Sequence, residues 1–315
     1  MSKTLAVFGA TGVQGRSVID HVLNDSELSQ KYKIRAIVRD TSSSKLEDLK
    51  EKIEIVQGDM LDRKSLETAL AGVDTVYSMT KGTFGPDHYD VEYNSAINVA
   101  DIAASKGASY LIFSTLPAVR EISSGKYAKV VSFDAKADAE KYIRQLPIKS
   151  AFFAIGGYME NFRAQHVFWP KEQEDGTWVI AQHASGKTKM PLLDATRDAG
   201  KFVGAILADP EKYEGKTLCG AEGLYSWDEI TAIMSKTTGK KVVYKQIPLE
   251  ESRKSIPYGA DFFLEGLSFQ EEFGYYGPGT EEKVKWSAAN ARGQLRGLEE
   301  YLEEHPLPLG PAAGN

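Results

Sequence analysis

Thr4-Leu5-Ala6-Val7-Phe8-Gly9-Ala10-Thr11-Gly12-Val13-Gln14-Gly15-Arg16-Ser17-Val18-Ile19 opens the chain and decides how the rest is read. The apolar run 4–8 suits a short strand buried on both faces. Glycines follow at 9, 12 and 15, and Val18, Ile19, Val22 and Leu23 then fall on one face of a helix. Gly9 permits a tight exit from the strand. Gly12 removes a side chain that would block a pyrophosphate, and Gly15 lets helix pack closely on strand. The first-turn amides and the helix dipole then face an anion. A tight turn without a ligand is the plain alternative. The strand-turn-helix context favours a dinucleotide site.

Beyond that turn, strand-like and helix-like stretches alternate. Residues 33–38, 53–56, 73–79, 109–114 and 149–155 read as strands. Residues 44–52, 93–106 and 133–145 read as helices, and Asp62 as the N-cap of another carrying Leu66, Ala69 and Leu70 and closed by Gly72. This predicts an α/β protein with a Rossmann-type, doubly wound parallel sheet over residues 1–155. The rhythm changes at Gly156. Strands at 178–180, 189–193 and 241–246, helices at 196–208 and 227–238 and an aromatic stretch around 262–276 predict a smaller C-terminal α/β domain. That domain spans 156–305, with some segments returning to the sheet. Residues 306–315, rich in Pro, Gly and Ala, are expected to be a loose tail.

The glycine spacing is GxxGxxG rather than the commoner GxGxxG, and it resembles the extended and atypical short-chain dehydrogenase/reductases. An acidic residue at the end of the second strand would hold the ribose 2′-hydroxyl of NAD. The chain instead has Arg39, followed by Asp40, Thr41, Ser42, Ser43, Ser44 and Lys45. A guanidinium can pair with a 2′-phosphate and stack on adenine, which favours NADP. Asp40 fits beside that phosphate only if it turns away; otherwise Arg39 is a solvated strand-end arginine. After the third strand, Asp59 either accepts from the adenine amino group or caps its own turn, and Met60 can pack on the ring. Thr80, Lys81 and Gly82 end the fourth strand, where the backbone would pass the nicotinamide-side ribose.

The short-chain reductase mechanism pairs a Tyr with a Lys four residues later on one helix. Only Tyr77 has such a partner, Lys81, and that pair lies across a strand end, where four residues span roughly 13 Å. Lys136 occupies the lysine position on the helix after strand five, but Ser132 stands where the tyrosine would be. Ser114 and Thr115 end strand five, where that mechanism keeps a hydroxyl. Lys136 is therefore the candidate catalytic residue if burial lowers its pKa; the alternative is a solvated lysine.

GATGVQGRSV near the start, VRD at 38–40, GDMLD at 58–62, FSTLPAV at 113–119, FDAKADAEKYI at 133–143 and GGYMENF at 156–162 together resemble the NmrA-like family, an atypical branch of the short-chain dehydrogenase/reductases. The resemblance covers most of the chain. It implies a Rossmann domain, a smaller C-terminal domain and a preference for NADP. Carried over by motif, the cofactor would contact Gly9, Ala10, Thr11, Gly12, Val13, Gln14, Gly15, Arg39, Asp59, Met60 and Thr80. Lys81, Gly82, Ser114, Lys136, Tyr158, Met159, Glu160 and Asn161 complete that set. The family includes NADP-responsive regulators without the catalytic tyrosine. Fungal members repress transcription factors for nitrogen use, and an animal relative responds to the NADPH/NADP ratio. It also borders on isoflavone-reductase-like enzymes.

Two functions follow. The preferred reading is a cofactor-sensing regulator with a protein partner such as a transcription factor. The alternative is an NADPH-dependent reductase of a small aromatic or enone substrate, in a pocket drawn from Phe84, His88, Tyr89, Tyr158, Phe162, Trp169, Phe263 and Tyr276. His88, expected in a loop, is a candidate acid. With 38 Lys and Arg against 44 Asp and Glu, the net charge of −6 argues against direct nucleic-acid binding. One cysteine, Cys219, cannot form an internal disulfide, and no apolar run reaches the ~20 residues of a membrane helix. The expected compartment is the cytoplasm, with the nucleus open to a regulator. No metal site is expected, since His166 and His183 have no partners at ligand spacing.

Overall fold

Alternate residues of the first strand are buried against opposite layers. Leu5 and Val7 join one core, and Ala6 and Phe8 another, the behaviour of a parallel strand covered on both faces. The computed structural model describes residues 2–82, 85, 87–164 and 167–310. Its strands are β1 (Lys3–Phe8), β2 (Tyr32–Val38), β3 (Glu54–Gln57), β4 (Thr75–Ser78), β5 (Tyr110–Thr115), β6 (Lys149–Ile155) and β7 (Gly157–Tyr158). They continue with β8 (Lys171–Glu172), β9 (Trp178–Gln182), β10 (Lys189–Leu193), β11 (Thr217–Gly220), β12 (Gly223–Ser226) and β13 (Val242–Gln246). The longer helices are α1 (Val13–Asn24), α2 (Arg63–Ala69), α3 (His88–Ser105), α4 (Val131–Ile143), α5 (Ala195–Ala208), α6 (Trp227–Thr238), α7 (Ala260–Phe273) and α8 (Thr280–Ala289). Leu298–Glu304 forms α9.

Seven strands form one sheet in the order β11-β6-β5-β4-β1-β2-β3, every pair parallel. Helices α1 and α5 cover one face, while α2, α3 and α4 cover the other. This is the doubly wound Rossmann arrangement. Winding reverses between β1 and β4, so the ligand crevice opens at their carboxyl ends.

Two three-stranded mixed sheets, β12-β10-β7 and β13-β9-β8, form the smaller unit with α6 and α9 around Trp227. The returning segments are α5 and β11. The loose-tail expectation needs correction for residues 306–310: Leu307 and Leu309 are buried in the smaller unit's core, which outweighs the Pro- and Gly-rich composition. Residues 311–315 lie outside the described residues.

Asp62 caps α2 as expected, accepting from the amides of Lys64 and Ser65. The segment 44–52 is a 3₁₀ turn over Ser44–Leu49 only. Helix α3 starts at His88, where periodicity predicted a start at 93. Its first turn carries His, Tyr and Asp rather than apolar residues, which hid the inward face until Ala96. Among the described residues, no helix is long and apolar enough to cross a membrane.

Candidate functional site

The phosphate turn follows directly from its glycines. Gly9 has φ +75°, in the left-handed region open to glycine. A Cβ on Gly15 would sit 2.3 Å from the Gly9 carbonyl oxygen, so helix and strand exit can meet only without it. A Cβ on Gly12 would meet only that same oxygen, at 3.4 Å, which leaves open space above the helix start. Gly12 is the N-cap, with no side chain to cap the helix. The amides of Val13 and Gln14 have no acceptor among the described residues. An uncapped, exposed helix start of this shape fits a diphosphate.

At the end of β2, Arg39 is exposed and forms no ion pair among the described residues. Asp40 does turn away: its carboxylate accepts from the amide of Ser42 at 2.9 Å and from its hydroxyl at 2.6 Å. Arg16 bridges Asp20 and Asp48 and fastens the turn Ser44–Leu49, which follows the hydroxyl-rich residues, to α1. Asp59 caps its own turn by accepting from the Leu61 amide. Met60 is half-buried beside it.

A cleft of about 790 Å³ lies beyond this turn, at the carboxyl ends of β4, β5 and β6. Thr80, Lys81, Gly82, Ser114, Lys136, Tyr158 and Asn161 all line it, so the candidates for the nicotinamide side come together. Lys136 is not solvated. It is buried, donates to the Thr80 carbonyl at 3.0 Å and to the Thr80 hydroxyl, and forms an ion pair with Glu92, whose side chain is 1% exposed. Thr80 in turn donates to Glu92 at 2.6 Å. Burial pushes the Lys136 pKa down, and Glu92 opposes that shift. The ammonium thus has protein partners in Thr80 and Glu92.

Gln14 organises the floor of the cleft. Tyr77 and Ser114 donate their hydroxyls to its Oε1 at 2.9 and 2.8 Å, and its Nε2 donates to the Tyr158 phenol at 2.6 Å. Tyr77 is wholly buried and serves Gln14 rather than Lys81, so the strand-end Tyr77–Lys81 spacing is coincidental. Burial pushes the Tyr158 phenol up to about 12.

Several expected contacts are corrected. Met159 is buried in the smaller unit's core. The Glu160 carboxylate is held by Thr196 and the amide of Ala195 at the start of α5. Tyr89 is not among the lining residues; it is partly buried, stacked on Tyr93 and bonded to Asp138 at 2.8 Å. Trp169 packs against the smaller core, and its neighbour Phe168 lines the cleft instead. Tyr276 is buried beside Cys219, and its neighbour Tyr275 reaches the cleft. Sequence reading chose the wrong member of each adjacent pair because side-chain direction there depends on irregular backbone. His88, Phe162 and Phe263 do line the cleft, with His88 on the first helical turn rather than in a loop. Phe84 and His166 lie outside the described residues. Phe133, Phe262 and Phe269, not anticipated, complete an aromatic wall. Glu92 was also missed; its signal is the 92, 95, 96, 99 helical spacing. Among the described residues, no cluster could hold a metal ion.

Comparison with known proteins agrees with this architecture. The chain is 30% identical over 314 residues to an NmrA-like family domain-containing protein of Dictyostelium discoideum, covering 96% of this chain and 98% of that one. It is 27% identical over 272 residues to the nitrogen metabolite repression protein nmrA of Emericella nidulans, covering 84% and 74%. Among solved structures, NmrA in complex with NADP superposes with a TM-score of 0.76 at 24% identity, covering 96% and 95%. The Escherichia coli NADPH-dependent quinone oxidoreductase QOR2 with NADPH does so with 0.74 at 20% identity, covering 96% and 99%. The NmrA-like family pattern matches residues 1–302, and the chain belongs to the NmrA-like family.

Proposed function

We propose that this protein is an NADP(H)-dependent reductase of a planar, apolar aromatic carbonyl compound. The observation that carries the reading is the aromatic-walled cleft of about 790 Å³ at the carboxyl ends of the central strands. Its volume falls in the ~300–1,000 Å³ range of small-molecule sites. The nicotinamide would take part of this volume, and the aromatic wall beyond it is what a docking surface alone would not need.

The amides of the 9–15 turn would hold the diphosphate. Arg39, exposed and free of Asp40, would pair with the 2′-phosphate, favouring NADP over NAD. Thr80, Lys81, Gly82 and Asn161, which line the cleft, would border the nicotinamide. Bound NADPH supplies a hydride. The aromatic wall would orient a flat ring system and exclude water. Relatives and structural neighbours described as oxidoreductases support the same reading, among them FrzB of Cladobotryum and the triphenylmethane reductase of Citrobacter complexed with NADP(H).

A cofactor-responsive regulator with a protein partner is the second reading. It is favoured by the pairing of Lys136 with Thr80 and Glu92 and by Ser132 in the tyrosine position. The deciding experiment follows NADPH absorbance with a panel of aromatic ketones, enones and quinones, alongside calorimetric titration of NADP and NAD. Turnover is expected. Tight NADP binding with no turnover would favour the regulator, and no nucleotide binding would overturn both.

A further inference from the structure

We infer that Tyr158 donates the hydrogen bond, and then the proton, to the substrate's carbonyl oxygen, and that Gln14 is the positioning residue that frees its hydroxyl to do so. The inference rests on the reductase reading.

Two buried hydroxyls, from Tyr77 and Ser114, converge on Gln14 Oε1. With that oxygen supplied, the amide turns Nε2 to Tyr158 and donates to its Oη at 2.6 Å. A phenol that accepts from an N–H directs its own hydrogen elsewhere. Among the described residues, that hydrogen has no acceptor, yet the ring is half-buried and lines the cleft. A donor ready for use on an apolar wall suits a ligand oxygen. Lys136 is not available in the same way, because its ammonium is already bonded to Thr80 and ion-paired with Glu92. Gln14 also lies in the first turn of α1, so one side chain links the phosphate cradle to the substrate cleft.

In the proposed step a hydride adds to the carbonyl carbon, or to the β-carbon of an enone. The displaced electron pair moves onto oxygen, which takes the proton from Tyr158 Oη. Solvent reprotonates the phenolate after product leaves. The substrate gains one hydride and one proton, with NADPH oxidised to NADP⁺.

The test uses Tyr158→Phe and Gln14→Glu in the full chain, each checked for folding by thermal melting. The probe is 9-fluorenone, read through its infrared carbonyl stretch when bound, with NADPH affinity and turnover measured in parallel. In the wild type the stretch should move to lower frequency. Tyr158→Phe should abolish that shift and lower kcat on the order of 10²–10³-fold, leaving KM and NADPH affinity within about threefold. Gln14→Glu replaces the amide donor by an acceptor that recaptures the phenol hydrogen, so it should also abolish the shift. A carbonyl shift unchanged in Tyr158→Phe would overturn the donor assignment while leaving the reductase reading intact. A shift unchanged in Gln14→Glu would overturn the positioning role. Failure of the wild type to bind fluorenone would remove the substrate reading of the cleft, and this inference with it.

Discussion

Arg39 and Glu92 show how much a single side chain can decide. Arg39→Ala should weaken NADP binding about 10–150-fold, the worth of a charge-assisted contact of ~1.5–3 kcal/mol, while NAD affinity changes little. Calorimetric titration checks this, and equal losses would remove the basis for the NADP preference. Glu92 balances a buried ammonium. Glu92→Leu leaves the buried Lys136 ammonium without its counter-ion, so stability should fall by about 3–5 kcal/mol in urea unfolding. Glu92→Leu combined with Lys136→Met should recover most of that loss, because an apolar pair restores balance.

At the scale of the element, capping and close packing fix where helices begin. Helix α6 opens on a complete capping box: Ser226 accepts from the Glu229 amide, and Glu229 accepts from the Ser226 amide at 2.8 Å. Ser226→Ala should cost about 0.5–2 kcal/mol, read as a lower melting temperature with the cleft unaltered. Helix α1 is the opposite case. Its Gly12 cap gives the helix nothing, and the first-turn amides are left for a ligand. Nucleotide should therefore stabilise the chain, whereas Ser226 acts whether or not nucleotide is present.

For the molecule as a whole, the link between early and late chain is electrostatic as well as apolar. Arg292 donates to the Asp25 carboxylate at 2.6 and 3.0 Å and to Glu27 at 2.8 Å, joining the segment after α8 to the end of α1. The guanidinium, with the amides of Leu28 and Glu27, holds the Asp25 carboxyl well below the usual range. A depressed folded pKa contributes stability that is full above the unfolded value of ~3.9 and is lost as pH falls through the folded value. Asp25→Asn should thus be about 1.5–3 kcal/mol less stable at neutral pH. The difference from wild type should vanish in strong acid, as followed by acid unfolding.

The Rossmann half was legible in the sequence because its signals are local. Apolar strands, the 9–12–15 glycines and the Asp62 cap each act within a few residues of themselves. Arg39 and its neighbour Asp40 could be read as a pair for the same reason. The wall of the cleft could not. Whether Tyr275 or Tyr276, or Phe168 or Trp169, faces the cavity depends on irregular backbone with no period to read. The partnership of Glu92 with Lys136, 44 positions apart, and that of Gln14 with Tyr158, 144 apart, exist only because the fold brings the segments after β1, β4 and β5 together with β7. The sequence by itself therefore determined the sheet and its phosphate turn. Tertiary packing alone decided that the Lys136 ammonium is engaged and that the Tyr158 phenol hydrogen has no acceptor among the described residues, because hydrogen-bond satisfaction depends on neighbours distant in the chain.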